Sequence, residues 1–202
     1  MKLVVASMNR DKLEELRELL AGPGLELLSL CDVPGAKAPE ETGATLLDNA
    51  RIKARAAMAV SGLPAVADDT GLEVDALDGA PGVRTARFAG PDADAARNTA
   101  HLLERLALVE PVLRAARFRT VCVAAFPDGR ELVAEGVLEG WIAGQPRGSN
   151  GFGYDPVFEL PDRSRTLAEL LTHEKQAMSH RARAIAALRD ALRAALGAVT
   201  PR

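Results

Sequence analysis

The sequence predicts an α/β fold, and three observations carry that prediction. Lys2–Ala6 is an apolar run that passes through a polar turn into a helix-spaced segment and then into a second apolar run. This strand–turn–helix–strand order builds α/β units and puts a ligand turn at the carboxyl end of the first strand. Later, two apolar runs flank Pro127-Asp128-Gly129-Arg130, an antiparallel hairpin signal. The chain has 202 residues, 48% of them hydrophobic, enough for one globular domain or two small lobes sharing a cleft.

The elements follow in order. After the first strand and the turn Ser7-Met8-Asn9-Arg10, Asp11–Leu20 sets Leu13, Leu16, Leu19 and Leu20 on one stripe, stopped by Gly22-Pro23-Gly24. Leu25–Cys31 reads as a strand, and Asp32–Gly43 as a polar linker. A long helix is predicted over Thr45–Ser61, closed by Gly62. Ala65–Ala67 reads as a short strand ending in Asp68-Asp69-Thr70-Gly71, with Leu72–Val74 resuming the pairing. Gly79–Gly90 is loop-like, and Asp92 or Asp94 caps a helix over Ala95–Leu108. The hairpin runs are Phe118–Phe126 and Glu131–Gly140, read as an inserted lobe over about residues 118–141 of a single domain spanning 1–202. A Gly-rich segment from Gly148 leads to a short strand near Val157–Glu159. Thr166-Leu167-Ala168-Glu169 matches a capping box, and a last helix covers Ser179–Leu196 with Ile185, Leu188, Leu192 and Leu196 inward.

Composition narrows the function classes. Lys+Arg number 25 against Asp+Glu 28, a net charge of −3, which excludes a general nucleic-acid coat and argues against disorder. The two cysteines, Cys31 and Cys122, form no C-x-x-C pair and read as small core residues, so a reducing, cytoplasmic compartment is expected. No run approaches the roughly 20 apolar residues of a membrane span, and the opening apolar stretch is too short for a signal peptide. No nucleic-acid or membrane partner is expected. A P-loop, a G-x-S-x-G elbow and metal-ligand spacing of His101, His173 or His180 are all absent.

Four clusters carry chemistry. Ser7-Met8-Asn9-Arg10-Asp11-Lys12 lies at a helix start, where unpaired N–H groups suit phosphate; the same residues also make an ordinary cap. Glu40-Glu41-Thr42-Gly43 precedes the long helix, and within that helix Lys53 lies on the stripe of Leu46, Ala50, Ala54 and Ala57. A cation there either snorkels or meets a buried anion. Asp68-Asp69-Thr70-Gly71 places two repelling acids side by side, a surface turn unless a divalent cation gives both a role. Aromatics are only 3% of the chain, yet Phe152 and Tyr154 share one Gly-rich turn that suits a stacked ring or a packed core. His180 and Arg181 offer donors to an acceptor such as a purine carbonyl.

Together these stretches resemble the inosine triphosphate pyrophosphatase family, the dITP/XTP or non-standard purine NTP pyrophosphatases. The carrying residues are Ala6-Ser7-Met8-Asn9 with Lys12, Glu41-Thr42-Gly43, Asn49-Ala50 with Lys53-Ala54, and Ala67-Asp68-Asp69-Thr70-Gly71-Leu72. Gly79-Ala80-Pro81-Gly82, Ala86-Arg87-Phe88, Gly151-Phe152-Gly153-Tyr154-Asp155-Pro156, and Glu174-Lys175 with Ser179-His180-Arg181 complete the set. The resemblance implies a long mixed central sheet flanked by helices, two lobes with the active site in the cleft, and a homodimer. It implies magnesium-dependent hydrolysis of ITP, dITP and XTP to the monophosphate and pyrophosphate. Residue by residue, it implies a phosphate loop of Ser7, Asn9 and Lys12, substrate contacts also by Met8, Arg10 and Asp11, and a catalytic Lys53 facing phosphate. Glu41, Asp68 and Asp69 become metal-site acids, Asp69 also the proton acceptor, and Thr70 a substrate contact. Phe152, Gly153, Tyr154, Asp155, Lys175, His180 and Arg181 become the base pocket. Met8 departs from the family pattern, standing where a glycine is usual.

Overall fold

Leu3, Val4 and Val5 are fully buried, as the opening apolar run demands, and they form the second strand in from one end of a mixed sheet. The computed structural model describes residues 1–197, and residues 198–202 of the expected domain lie outside the described residues. In chain order the elements are β1 (Lys2–Val5), α1 (Arg10–Leu20), β2 (Glu26–Ser29), α2 (Leu46–Ser61), β3 (Ala65–Val74) and β4 (Pro81–Gly82). Then come α3 (Ala95–Arg105), β5 (Ala115–Ala125), β6 (Glu131–Ile142), β7 (Phe158–Glu159), α4 (Thr172–Met178) and α5 (His180–Gly197). The strands run in the order β2-β1-β3-β5-β6-β7, with β4 paired to β3. β1 is parallel to both β2 and β3, while β3–β4 and β6–β7 are antiparallel, so the expected α/β class and mixed sheet are both present.

Local chemistry sets the element ends. Asn9 caps α1, its side chain accepting from the Lys12 N–H. α2 opens with a capping box of Thr45 and Asp48 and closes on Gly62 at φ 67°, a left-handed conformation that glycine adopts without strain. Asp94, rather than Asp92, caps α3.

Several sequence expectations are corrected. β3 is one continuous strand, so Asp68-Asp69-Thr70-Gly71 lies inside it rather than at a strand end. The second strand stops at Ser29 because its hydroxyl accepts from the Cys31 N–H and starts a 3₁₀ turn over Leu30–Asp32. Cys31 is therefore exposed, while Cys122 is buried as expected. α3 ends at Arg105, and the capping box at Thr166 opens only a 3₁₀ turn, Leu167–Glu169. The seven-residue helix α4 has no counterpart in the sequence reading.

The chain divides into two compact units. The first comprises Met1–Asp69, Thr120–Gly136 and the segment from Arg181 onward. Its core joins Leu3, Val5 and Val66 to Leu16 and Leu20 of α1 and to Ile185, Leu188 and Leu192 of α5. The second comprises Thr70–Arg119 and Val137–His180. Its core gathers Leu72, Val74, Leu102, Leu106, Phe118, Leu138 and Phe158.

Candidate active site

Side chains alternate along a strand, and in the first unit that alternation separates the two acids. Val66 joins the core shared with α1 and α5, and Asp68, two residues on, meets the cations of those helices. Asp69, with the opposite parity, meets α2. The repulsion that adjacent carboxylates would suffer is met by a different set of partners for each.

Asp69 Oδ1 accepts from Lys53 Nζ at 2.7 Å, and Glu41 Oε1 lies 3.1 Å from the same ammonium. This decides the Lys53 question: its place on the inner stripe of α2 takes it to a buried anion rather than out to water. Burial alone would lower the Lys53 pKa, but Asp69, Asp68 and Glu41 outweigh it and raise it. Burial raises the Asp69 pKa from its ordinary value, and the opposing pull of Lys53 does not cancel it.

Asp68 is fully buried, and its carboxyl is held well below the usual range. Burial pushes it upward, but Lys12, Arg181 and Lys53 more than offset that. Arg181 donates to Asp68 Oδ2 from Nε at 3.2 Å and Nη2 at 3.1 Å, while Lys12 Nζ stands 3.5 Å away. Arg181 Nη1 also donates to Glu15 of α1. The guanidinium, expected at the base pocket, is thus engaged by two acids of the first unit.

Two residues of this cluster were given no role by the sequence reading. Asn49 is fully buried on the α2 stripe; its amide donates to Asp69 Oδ2 at 3.4 Å and accepts from the Gly43 N–H at 2.8 Å. A polar residue at that spacing between Leu46 and Lys53 was the available signal. Gly43 is needed there, since a Cβ would lie 2.6 Å from Asn49 Oδ1. Glu15, three residues after Lys12, reads from sequence as part of a solvated helix face.

The turn before α1 is compact. The buried Ser7 hydroxyl donates to the Asn9 carbonyl at 3.3 Å, while Arg10 and Asp11 are exposed. Among the described residues, Asp78 and Arg163 are the non-glycine positions with positive φ; Met8 is not one of them. Its side chain is 51% exposed, with Sδ 3.6 Å from Cys31 Sγ, so this backbone accommodates a side chain where the family usually has glycine.

In the second unit, Asp155 Oδ2 accepts from Lys175 Nζ and from the Phe152 N–H, both at 2.8 Å. Lys175 Nζ lies 4.6 Å from the Phe152 ring centroid, a cation–π distance. Gly151, at φ 73°, permits this turn, because a Cβ there would meet Asp155 Oδ2. Gly153 lies in the same turn, and its carbonyl accepts from Thr99 Oγ1 at 3.4 Å. Tyr154 is buried and donates to the Thr85 carbonyl at 2.9 Å; His180 is buried against the Phe118 ring at 4.8 Å. Phe152, Asp155 and Lys175 therefore form one group, while Tyr154 and His180 pack into the unit's interior. Thr70 is half-buried on β3.

Among the described residues, no three His, Cys, Asp or Glu side chains are grouped to hold a metal ion. Glu41 and Asp69 nonetheless converge on one ammonium. Two such carboxylates suit magnesium, which usually takes one or two of them and completes its shell with water and substrate phosphate. Asp68 Oδ2 is committed to Arg181 and Lys12.

The model of the Ham1 family matches residues 3–191. A dITP/XTP pyrophosphatase of Thioalkalivibrio sulfidiphilus is 47% identical over 95% of this chain and 98% of its own length. One from Mycobacteroides abscessus is 50% identical over 96% and 95% respectively. A HAM1 protein of Coxiella burnetii superposes with a TM-score of 0.87 at 42% identity, over 96% of this chain and 99% of that one.

Proposed function

Since the chain belongs to the Ham1 family, we propose that it hydrolyses non-standard purine nucleoside triphosphates, ITP, dITP and XTP, to the monophosphate and pyrophosphate. The observation that carries this reading is Lys53 held between Asp69 and Glu41, beside an Asp68 locked in the ionised state. A metal-nucleotide hydrolase requires such a set: carboxylates for a divalent cation, cations for phosphate charge, and one acid able to take a proton.

The roles divide as follows. Asp69, its proton affinity raised by burial, accepts the proton of the attacking water. The water oxygen bonds to the α-phosphorus, the α–β anhydride bond breaks, and pyrophosphate leaves with the bond's electron pair. Lys53 and Lys12 offset charge developing on phosphate oxygens. Magnesium, when bound, would be held by Glu41 and Asp69 and would polarise those oxygens. Arg181 fixes Asp68, and Glu15 fixes Arg181.

Within the second unit, Phe152 offers a ring face and Lys175 a donor that suit a 6-keto purine. Adenine presents an amino donor there and would leave such groups unpaired. No helix among the described residues is long and apolar enough to cross a membrane. A cytoplasmic homodimer completes the reading on family resemblance, and light scattering of the purified protein tests the dimer.

The deciding experiment incubates the protein with magnesium and ITP, XTP, dITP, GTP or ATP and measures pyrophosphate. Rapid release from the first three and slow release from ATP is expected. Equal turnover of ATP and ITP overturns the selectivity, and no pyrophosphate from any substrate overturns the activity.

A further inference from the structure

Asn49 and Lys53 stand four residues apart on one face of α2, and each reaches in two directions. Lys53 Nζ lies 2.7 Å from Asp69 Oδ1 and 3.1 Å from Glu41 Oε1. Asn49 repeats the arrangement with neutral groups. Its amide donates to Asp69 Oδ2 at 3.4 Å, and its carbonyl accepts from the Gly43 N–H at 2.8 Å. The two oxygens of Asp69 are thus engaged by two side chains of one helix, and both side chains also hold the segment that carries Glu41.

The Asn49 amide cannot be turned round. The Gly43 N–H needs an acceptor, which fixes the oxygen end toward the loop and leaves the donor end for Asp69. Asn49 has no exposed surface, so water does not stand in for either partner. The loop also comes as close as it can: a Cβ on Gly43 would lie 2.6 Å from Asn49 Oδ1 and 2.9 Å from its backbone nitrogen.

A second buried asparagine shows what a purely structural pin looks like. Asn98 accepts from the Ala89 N–H at 2.8 Å and donates to the Ala86 carbonyl at 3.0 Å, so backbone stands at both ends. Asn49 makes the same kind of pin with its oxygen but turns its donor to a side-chain carboxylate.

We infer that Asn49 is a positioning residue for the hydrolysis, acting through Asp69, on whose proposed role as proton acceptor this inference rests. A hydrogen bond at one carboxylate oxygen and an ion pair at the other fix the plane of the group. That plane sets the direction from which Asp69 takes a proton. Because the same amide seats Gly43, it also sets how far the Glu41 segment stands from Asp69.

The test is a mutant cycle. Asn49→Leu keeps the branched shape without either polar end, and it is made both in the parent and in Asp69→Asn. In the parent, kcat for ITP with magnesium should fall about 10–100-fold, the usual cost of losing a group that orients a site residue. KM should change little, since Asn49 lies behind the carboxylate and touches no phosphate group. In Asp69→Asn the same substitution should cost far less, because the residue it acts through is already gone. Equal losses in both backgrounds overturn the proposal, as a residue that only supports the fold weakens both alike. Full turnover in Asn49→Leu overturns it as well.

Hydrogen exchange at the Gly43 amide reads the loop contact without turnover. Exchange should be slow in the parent and faster in Asn49→Leu; fast exchange in the parent, or no change in the variant, overturns the proposal. If Asn49→Leu melts early, Gly43→Ala carries the cycle from the loop side, where its Cβ displaces the Asn49 amide. Its loss of kcat should likewise shrink in Asp69→Asn, and equal losses overturn the proposal. A parent that releases no pyrophosphate overturns the hydrolase reading and this role with it, whereas equal losses from an active parent overturn the role alone.

Discussion

Arg181 grips Asp68 through two donors, Nε and Nη2, although 113 residues separate them in the chain. Both side chains are essentially buried, so each is the other's substitute for water. Removing one partner of such a pair is more damaging than removing both.

Arg181→Met should therefore cost about 3–5 kcal/mol of unfolding free energy, because Asp68 and Glu15 each lose a buried guanidinium partner. Chemical denaturation measures this. The double variant Asp68→Asn/Arg181→Met should recover part of the loss; costs that simply add would refute the coupling.

The same pair sets a dependence on acid. A carboxyl whose folded pKa is depressed contributes stability above its unfolded pKa and loses it as pH falls toward the folded value. The stability gap between the parent and Asp68→Asn should be full at neutral pH. It should shrink as pH drops below about 4, the ordinary aspartate value. A gap that widens in acid would reverse the assigned direction. The measurement is urea unfolding of both proteins in EDTA across that range.

Asp69→Asn should lower kcat by about 10²–10⁴, the span of a general base. Burial already disfavours the Asp69 carboxylate, and Lys53 keeps Glu41 as a partner, so the melting temperature should stay close to the parent's. Full turnover in this variant removes Asp69 from the chemistry, and a collapsed melt assigns it to structure.

Lys53→Met should lower kcat by about 10²–10³, as loss of one charge-stabilising group does. It also removes the cation that pulls the Asp69 pKa down. The acidic limb of the kcat/KM profile should then move to higher pH, a shift that a merely structural lysine would not produce.

The helical part of this site was legible because helices write themselves locally. Lys53 broke an apolar stripe at fixed spacing, and the structure supplies the anions that such a break implies. Asn49 sits on the same stripe, and its role follows from the same rule. β3 was harder to read: Asp68, Asp69 and Gly71 all disfavour strands, so local propensity breaks it in two. The strand persists because Lys12, Arg181 and Lys53, distant in sequence, compensate its acids. Glu15 was invisible for a related reason. Nothing near α1 in sequence announces the arginine that approaches it from α5. Cys31 was misread because an apolar run gives no warning that a serine hydroxyl will turn the chain at its end.

The alternation of β3 has an evolutionary corollary. Lengthening or shortening the strand by one residue upstream of the paired acids would exchange their surroundings. The acid paired with Arg181 would face α2, and the one paired with Lys53 would face that arginine. The spacing from Ala65 to Asp69 should therefore tolerate no insertion or deletion.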